Sequence, residues 1–344
     1  MSTTSYAVLA KARSKYGKFL SDRDYAGILA CQSVAEVMVY LKSHTHFASV
    51  LSEVNERDVH RGRLEQLLRQ YLFNEFDSLC RYDSTVSDGF SQYVIARTEV
   101  DQIVRFMVLL NANATERFIF QFPAFLAKHT ELDMVKLANA ESYDEFLEAL
   151  RHTSYYDILK AYKPDSKGQL PVSVIENKLY GYILKNMLEL VNKKTKGSER
   201  RELKAMFRTI NDYNIFSRIL RLKKYYNLSP EALRANMLPE YSSLSPKLID
   251  RMCQAESSAE VFQIMQNTGC GRMMGKIGYQ HAGDISPRVQ YKLAKKNIHF
   301  SNNPSVVMVS FVFLSEIELM NVISLIEGIR YQLDPKKIQS LIIH

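Results

Sequence analysis

Apolar residues recur with helical spacing at the end of the chain, from residue 316 to residue 343. The stretch 316–329 carries two apolar stripes at intervals of three and four residues, so we expect a helix that is buried on most sides. A second helix is predicted to start at Asp334-Pro335. Asp accepts hydrogen bonds from the free N–H groups of a first turn, and Pro fits the first helical position. The polar edge of the first helix is predicted to consist of Glu318, Asn321 and Glu327.

The same order of parts occurs earlier in the chain, in the stretch 209–233. A predicted helix through Asn214 ends in a Tyr-rich segment, and Ser229-Pro230 then supplies a cap and a first helical residue. The caps Ser229 and Asp334 lie 105 residues apart. Repetition at a fixed interval predicts a repeated structural unit.

A second pattern, Ser-x-x-Glu ahead of an apolar helix, occurs three times. In this capping box the Ser side chain accepts a hydrogen bond from the third helical N–H, and the Glu side chain reaches back to the N–H of the Ser. The serines lie 109 and 115 residues apart, and each box is followed by a second predicted cap. The boxes are Ser33 with Glu36, Ser142 with Glu145 and Ser257 with Glu260, and the second caps are Thr45, Thr153 and Thr268.

Polar residues also recur on the longer predicted helices, at Asp101, Asn214 and Asn321. Their spacings are 113 and 107 residues, close to the spacing of the capping boxes. We interpret these repeat positions as places where one helix forms hydrogen bonds to another, because a polar group among apolar neighbours needs a partner.

Together these patterns predict an all-α protein of three similar helical domains of about 110 residues each. The predicted domains are residues 1–115, which form the most divergent copy, 116–240 and 241–344. Three similar domains suggest a pseudo-threefold ring or funnel around a central cavity, although repeats could also stack in a line.

One segment favours a strand by its composition. Val306 to Leu314 is β-branched and aromatic, which intrinsic propensity assigns to a strand. Its position in the third repeat predicts a buried helix instead.

The composition is that of a helical soluble protein. The chain has 344 residues with 46% apolar content, and Gly (13) and Pro (9) are sparse. No apolar run approaches the roughly 18–20 residues that span a bilayer, and residues 1–19 lack the apolar core of a signal peptide. We therefore expect a cytosolic protein whose four separated cysteines are core residues rather than disulfides or metal ligands.

The formal net charge of +8 suits an acidic partner, nucleic acid or an anionic membrane surface. The positive charge is spread out except for one cluster around Gly197-Ser198. This cluster is interpreted either as a solvated loop between helices or as a contact to an acidic partner. Its members are Lys193, Lys194, Lys196, Arg200 and Arg201.

The sequence does not match the motifs that are typical of catalytic, cofactor or metal sites. The glycine-rich stretch 269–278 departs from the dinucleotide and P-loop patterns, because its third Gly and its Ser/Thr position do not match. His44 and His46 have no further ligand at a helical spacing that a metal would require. We expect no cofactor, no metal, no small-molecule substrate and no enzymatic activity.

Four dispersed segments resemble the C subunit of the prokaryotic V-type (A-type) ATPases, which is equivalent to the d subunit of the eukaryotic vacuolar enzyme. Their order and spacing carry the resemblance. They are YAVLAKARSKYGKFL from Tyr6, LANAESYDEFLEAL from Leu137, RILRLKKYYNLSPEAL from Arg218 and IEGIRYQLDPKKIQSLI from Ile326.

This resemblance implies a non-catalytic rotor subunit of the central stalk. Family members look like a funnel of three helical domains, whose wide end receives the central axle subunits and whose narrow end sits on the membrane rotor ring of proteolipid subunits. The implied role is ATP-coupled transport of protons or sodium ions, at the cytoplasmic side of the membrane and peripheral to it. The basic cluster would then meet an acidic surface of the axle or lie near anionic lipid.

Two other classes of protein remain as alternatives. One is an all-α scaffold unrelated to ion transport, and the other is a helical nucleic-acid-binding adaptor. The adaptor is disfavoured because the positive charge forms no single stripe and no known binding module is present. A cryptic enzyme would need a pocket that one sequence does not reveal.

Overall fold

A computed structural model describes residues 3–55, 60–80, 87–115, 118, 130–166, 168–226, 228–274 and 282–343. All the regular structure in these residues is helical, which confirms the predicted all-α class. The described residues form eighteen α-helices, and a 3-10 helix at Pro239–Tyr241 lies between the twelfth and the thirteenth. The α-helices are α1 (Thr3–Tyr16), α2 (Asp22–Leu29), α3 (Val34–His44), α4 (Ala48–Leu51), α5 (Arg61–Cys80), α6 (Ser87–Asn111), α7 (Met134–Asn139), α8 (Tyr143–Ala149), α9 (Tyr156–Leu159), α10 (Val172–Lys194), α11 (Gly197–Tyr226), α12 (Pro230–Ala235), α13 (Pro246–Gln254), α14 (Ser258–Gln266), α15 (Gly269–Met274), α16 (Ala282–Phe300), α17 (Pro304–Arg330) and α18 (Pro335–Leu341).

The long helices share one core. The C-terminal halves of α5, α10 and α16 pack there with the N-terminal halves of α11 and α17, and with α1. Large apolar side chains such as Phe76, Phe207 and Phe313 fill this core and are almost fully buried. Because each long helix contributes only one of its halves, the other halves are free to pack elsewhere.

Those other halves form three further cores with the short helices. The first core is formed by helices α6 to α10, and the second is formed by helices α11 to α16. The third combines α2–α5 with α17 and α18, so the two ends of the chain close one core together. Each core therefore joins the last part of one predicted repeat to the first part of the next. The funnel shape and the domain boundaries at 115 and 240 stay predictions.

The three capping boxes form, with one difference from the expected pattern. Ser33, Ser142 and Ser257 each accept a hydrogen bond from the N–H of their glutamate partner. The glutamates reach back one residue further than expected, to the N–H groups that precede the serines. At Ser21 the shorter side chain of Asp24 bonds the serine N–H itself.

The second caps also form in all three copies. The hydroxyls of Thr45, Thr153 and Thr268 donate to carbonyls three or four residues earlier. The same oxygens accept N–H groups two or three residues later. Each threonine thus holds a tight break between two short helices, as the sequence predicts.

The strand-like segment Val306 to Leu314 lies inside α17, so the prediction of a buried helix is confirmed. This helix of 27 residues is long and apolar enough to cross a membrane, which counting uninterrupted apolar runs did not reveal. However, 83% of its most apolar window is buried inside the protein. That burial is what a central core helix requires.

The predicted helix-to-helix hydrogen bonds are present. Asn321 is buried and bonds both backbone groups of Ile343 after α18. Asn214 on α11 accepts a hydrogen bond from Ser286 on α16 at 2.5 Å. Asp101 on α6 accepts one from Tyr180 on α10. The three positions differ in environment, because Asp101 and Asn214 are exposed whereas Asn321 is not.

Candidate docking surfaces

A cavity of about 420 Å³ lies between the long helices α6, α10, α11, α16 and α17. Its lining includes the cationic side chains of Arg97, Arg218 and Arg221 and the acidic side chain of Glu176. The formal charge of the lining is therefore positive. A cleft lined by one sign of charge concentrates ligands of the opposite sign.

Helix α11 supplies a polar stripe to this cavity. Asn214, Arg218 and Arg221 follow one another at intervals of four and three residues, so they share one helix face. Arg218 donates one hydrogen bond to the Ser173 carbonyl at 3.1 Å. A guanidinium has five N–H donors, so Arg218 keeps capacity for an acidic partner. Burial lowers the pKa of Arg218, and Glu176 opposes this effect.

An ion pair between α6 and α17 borders the cavity. Arg97 donates to Glu316 at 2.6 Å, and its guanidinium carbon lies 5.8 Å from the centre of the Tyr93 ring. Met320, on the same helix as Glu316, also faces the cavity and is 47% exposed. The cavity wall therefore combines fixed charge with an uncovered apolar side chain.

Buried carboxylates tie the long helices to the short ones in each of the three cores. The acids are Glu99 on α6, Asp212 on α11 and Glu318 on α17. They lie 113 and 106 residues apart, which matches the repeat spacing. We call these three sites the acid joints, and each one forms hydrogen bonds with two separate segments.

In the first acid joint, Glu99 accepts hydrogen bonds from the Thr130 hydroxyl at 2.6 Å and from the Glu131 N–H at 3.3 Å. Both donors lie just before α7. Its other carboxylate oxygen accepts the Tyr155 hydroxyl at 2.6 Å, two residues after the second cap Thr153. Two connecting segments are thus fixed to one point on α6.

In the second acid joint, Asp212 accepts hydrogen bonds from the hydroxyls of Ser242 and Ser243, and from the Ser243 N–H at 2.9 Å. These donors lie just before α13. The Cys270 thiol, two residues after Thr268, donates at 3.8 Å. Burial raises the pKa of Cys270 to about 12, and Asp212 adds to the effect.

In the third acid joint, Glu318 accepts the Leu20 N–H, just before α2, at 2.6 Å. Its second oxygen lies 3.1 Å from Nε2 of His46, the residue after Thr45. Burial raises the pKa of Glu318 to about 8, and burial lowers the pKa of His46 to about 4. Burial therefore disfavours the charged form of both groups, which favours a hydrogen bond between neutral groups over an ion pair.

The predicted basic cluster lies where α10 turns into α11. Lys193 and Lys194 end α10, Lys196 follows, and all three are exposed, as is Arg201 on α11. Arg200 differs, because it donates to the carbonyls of Thr195 and Asn192 at 2.7 and 2.8 Å. Arg200 therefore caps the end of α10, and four of the five predicted cations remain directed to solvent.

Comparison with known families decides the identity of this arrangement. The model of the ATP synthase (C/AC39) subunit family matches residues 8–341. The chain belongs to this family. The resemblance seen in the four sequence segments is thereby confirmed.

Two curated relatives of this family member are each named as the C subunit of an A-type ATP synthase. The protein of Methanosphaera stadtmanae is 24% identical over 181 residues, which cover 52% of this chain and 44% of the relative. The protein of Methanosarcina mazei is 23% identical over 241 residues, which cover 69% and 63%. The matched regions thus span less than two thirds of either relative.

Sequence reasoning missed the acid joints, although a signal was present. Glu99 and Asp212 lie 113 residues apart, the same interval that separates Asp101 from Asn214. Extending that alignment by two residues would have found them. Glu318 was expected on a polar helix edge, but it is 3% exposed. When Glu318 is aligned with Asp212, the residue of α17 that corresponds to Asn214 is Met320. Met320 is exposed and lies one position before Asn321.

Proposed function

We propose that this chain is a non-catalytic central-stalk subunit of an A/V-type ATPase. It acts as a socket that links the rotating axle to the membrane rotor ring during ATP-coupled transport of protons or sodium ions. The observation that carries the proposal is the family match over residues 8–341. In this role the protein is peripheral to the membrane, on its cytoplasmic side, and the ring determines which ion is coupled.

The structure supports a mechanical role in two ways. Three acid joints fix the short helices to the long ones, so the three outer cores resist shear relative to the shared core. The central cavity offers positive charge from Arg218 and Arg221. We infer that the foot of the axle enters this cavity through carboxylate side chains, since charge complementarity fixes the register of two partners.

The test is charge reversal at Arg221, which is exposed and lines the cavity. Arg221→Glu is expected to reduce co-purification of the axle subunits with this chain, and more so at low salt, where electrostatic attraction is least screened. Arg151→Glu is the control, because Arg151 is also exposed, on a turn outside the cavity, and its ion pair with Glu148 lies at the surface, where such pairs contribute little. Equal recovery of the axle with both variants would contradict the cavity as the docking site.

A further inference from the structure

The basic turn between α10 and α11 does not stand alone at its end of the molecule. The turn between α16 and α17 lies against it, and hydrogen bonds connect the two. Glu202 accepts from Ser301 and Asn303 at 2.7 Å each. Glu199 accepts the Ser305 N–H at 3.4 Å. The two turns therefore form one surface.

Helix α1 fixes this surface from the other side. Arg13 donates to the carbonyls of Ile298 and Ser301 at 2.7 Å each. The C-terminal end of α16 is thus capped by a side chain from a distant part of the chain. The surface is held in place by bonds from three segments.

The second turn adds an apolar side chain and a further cation. Phe300, the last residue of α16, is 78% exposed, the largest value among the exposed large apolar side chains of the described residues. Lys296 lies one helical turn before it, on the same face, and is exposed. We call this surface the basic end, which consists of Lys193, Lys194, Lys196, Arg201, Lys296 and Phe300.

The two carboxylates among these turns form hydrogen bonds with neutral groups rather than ion pairs with the cations. Glu199 and Glu202 are the acidic residues of these two turns, and their carboxylates are occupied by the hydrogen bonds described above. Within the described residues, none of the five cations forms an ion pair. The surface therefore carries an excess of positive charge, with five cations against two carboxylates, beside one exposed aromatic ring.

We propose that the basic end binds the anionic headgroups of a lipid surface. Clusters of four to eight Lys and Arg residues attract anionic membranes, and an exposed Phe next to them can insert at the boundary between headgroups and acyl chains. The cluster is mainly lysine, which is depleted at protein–protein interfaces, so its composition favours lipid over an acidic protein. The inference rests on the proposed function only in bringing this end near a membrane.

The test uses the full chain and sedimentation with vesicles of phosphatidylcholine, with and without phosphatidylglycerol. Binding is expected only with phosphatidylglycerol, and it should decrease with rising salt. Each lysine near an anionic surface contributes about a fivefold factor. Lys193→Gln combined with Lys196→Gln is therefore expected to weaken binding by about 25-fold. The control, Lys163→Gln with Lys247→Gln, removes the same charge from exposed sites elsewhere.

The aromatic contribution has its own matched pair. Phe300→Ser is expected to weaken vesicle binding, whereas Tyr225→Ser, at another exposed aromatic position, is expected to leave it unchanged. Both side chains are largely exposed, so folding is expected to be retained, as circular dichroism would verify.

The outcomes separate this inference from the proposed function. Absence of wild-type binding to phosphatidylglycerol vesicles, or equal loss in the control pair, would overturn the lipid contact. If the wild-type chain binds no vesicles, and the Lys193→Gln, Lys196→Gln variant no longer recovers the rotor ring, the partner is an acidic protein and the inference is wrong. Vesicle binding without co-purification of any other part of the ATPase would support the lipid contact and contradict the proposed role as a socket.

Discussion

Asn321 is the residue whose removal we expect to be most damaging among the repeat positions. Its side chain amide donates to the Ile343 carbonyl at 2.8 Å and to the Tyr25 hydroxyl at 3.2 Å. Its side chain oxygen accepts the Ile343 N–H at 2.9 Å. Asn321 is 2% exposed and Ile343 is 7% exposed, so water cannot readily replace these bonds. The segment after α18 is therefore held to α17 by one side chain.

The expected cost follows from the groups left behind. Asn321→Ala leaves the N–H and the carbonyl of Ile343 buried without this partner, and each orphaned group costs about 1–3 kcal/mol. The sum is about 4 kcal/mol. By contrast, Asn214 is exposed and makes its hydrogen bond to the Ser286 hydroxyl. Because this variant leaves only one hydroxyl without its acceptor, and Ser286 lines the cavity, Asn214→Ala should cost about 1 kcal/mol.

Urea denaturation monitored by circular dichroism measures the difference between the two variants. Asn321→Leu is the matched control for volume, because it fills the space but cannot form the bonds. It should remain destabilised by about 2 kcal/mol or more. The reasoning would be refuted if Asn321→Ala cost no more than Asn214→Ala, or if Asn321→Leu restored wild-type stability. Faster amide exchange in α18 would locate the effect.

Further predictions concern pH and packing. Because the folded-state pKa of Glu318 is raised to about 8, its stabilising contribution is present at low pH and is lost as pH rises. The pKa of His46 is lowered to about 4 in the folded state. Its titration therefore affects stability mainly below its unfolded-state pKa of about 6.5. Raising the pH from about 6.5 to 8 should therefore lower the free energy of unfolding by about 1 kcal/mol. The loss should disappear in Glu318→Gln, and thermal melts of both proteins across this range would check it. In the packing test, a Cβ at Gly271 would lie 2.2 Å from the Met265 carbonyl oxygen, whereas a Cβ at Gly283 meets nothing within 4 Å. Gly271→Ala should therefore lower the melting temperature strongly, while Gly283→Ala should leave it unchanged or raise it, and similar effects of the two would contradict this account.

The local parts of the fold could be predicted from the sequence because their causes are local. Capping at Ser33, Ser142 and Ser257 depends on residues three or four positions apart, so a short pattern carries it. Repetition then assigned Val306 to Leu314 to a helix against its intrinsic propensity. The longer reach of the glutamates was missed because the motif alone does not specify backbone geometry.

The long-range parts could not be predicted in the same way. The acid joints connect residues that are up to 298 positions apart, as for Leu20 and Glu318. A periodic pattern shows that Glu318 interrupts an apolar face, but it does not show which donors surround it. The cavity likewise depends on how five helices meet. Closure of one core by both chain ends is also invisible to a linear search for domains.

The acid joints repeat one arrangement of a carboxylate and two connecting segments with different chemistry each time. All three place a carboxylate on a long helix, and each forms hydrogen bonds with the segment before the short helices and with the segment after the second cap. The variable partner is Tyr155, Cys270 or His46. Burial raises the pKa values of Tyr155 and Cys270, so both stay protonated at neutral pH. In the joint with His46, burial raises the pKa of Glu318 to about 8 and lowers that of His46 to about 4, so the core that joins the two ends of the chain should loosen as the pH rises through neutrality.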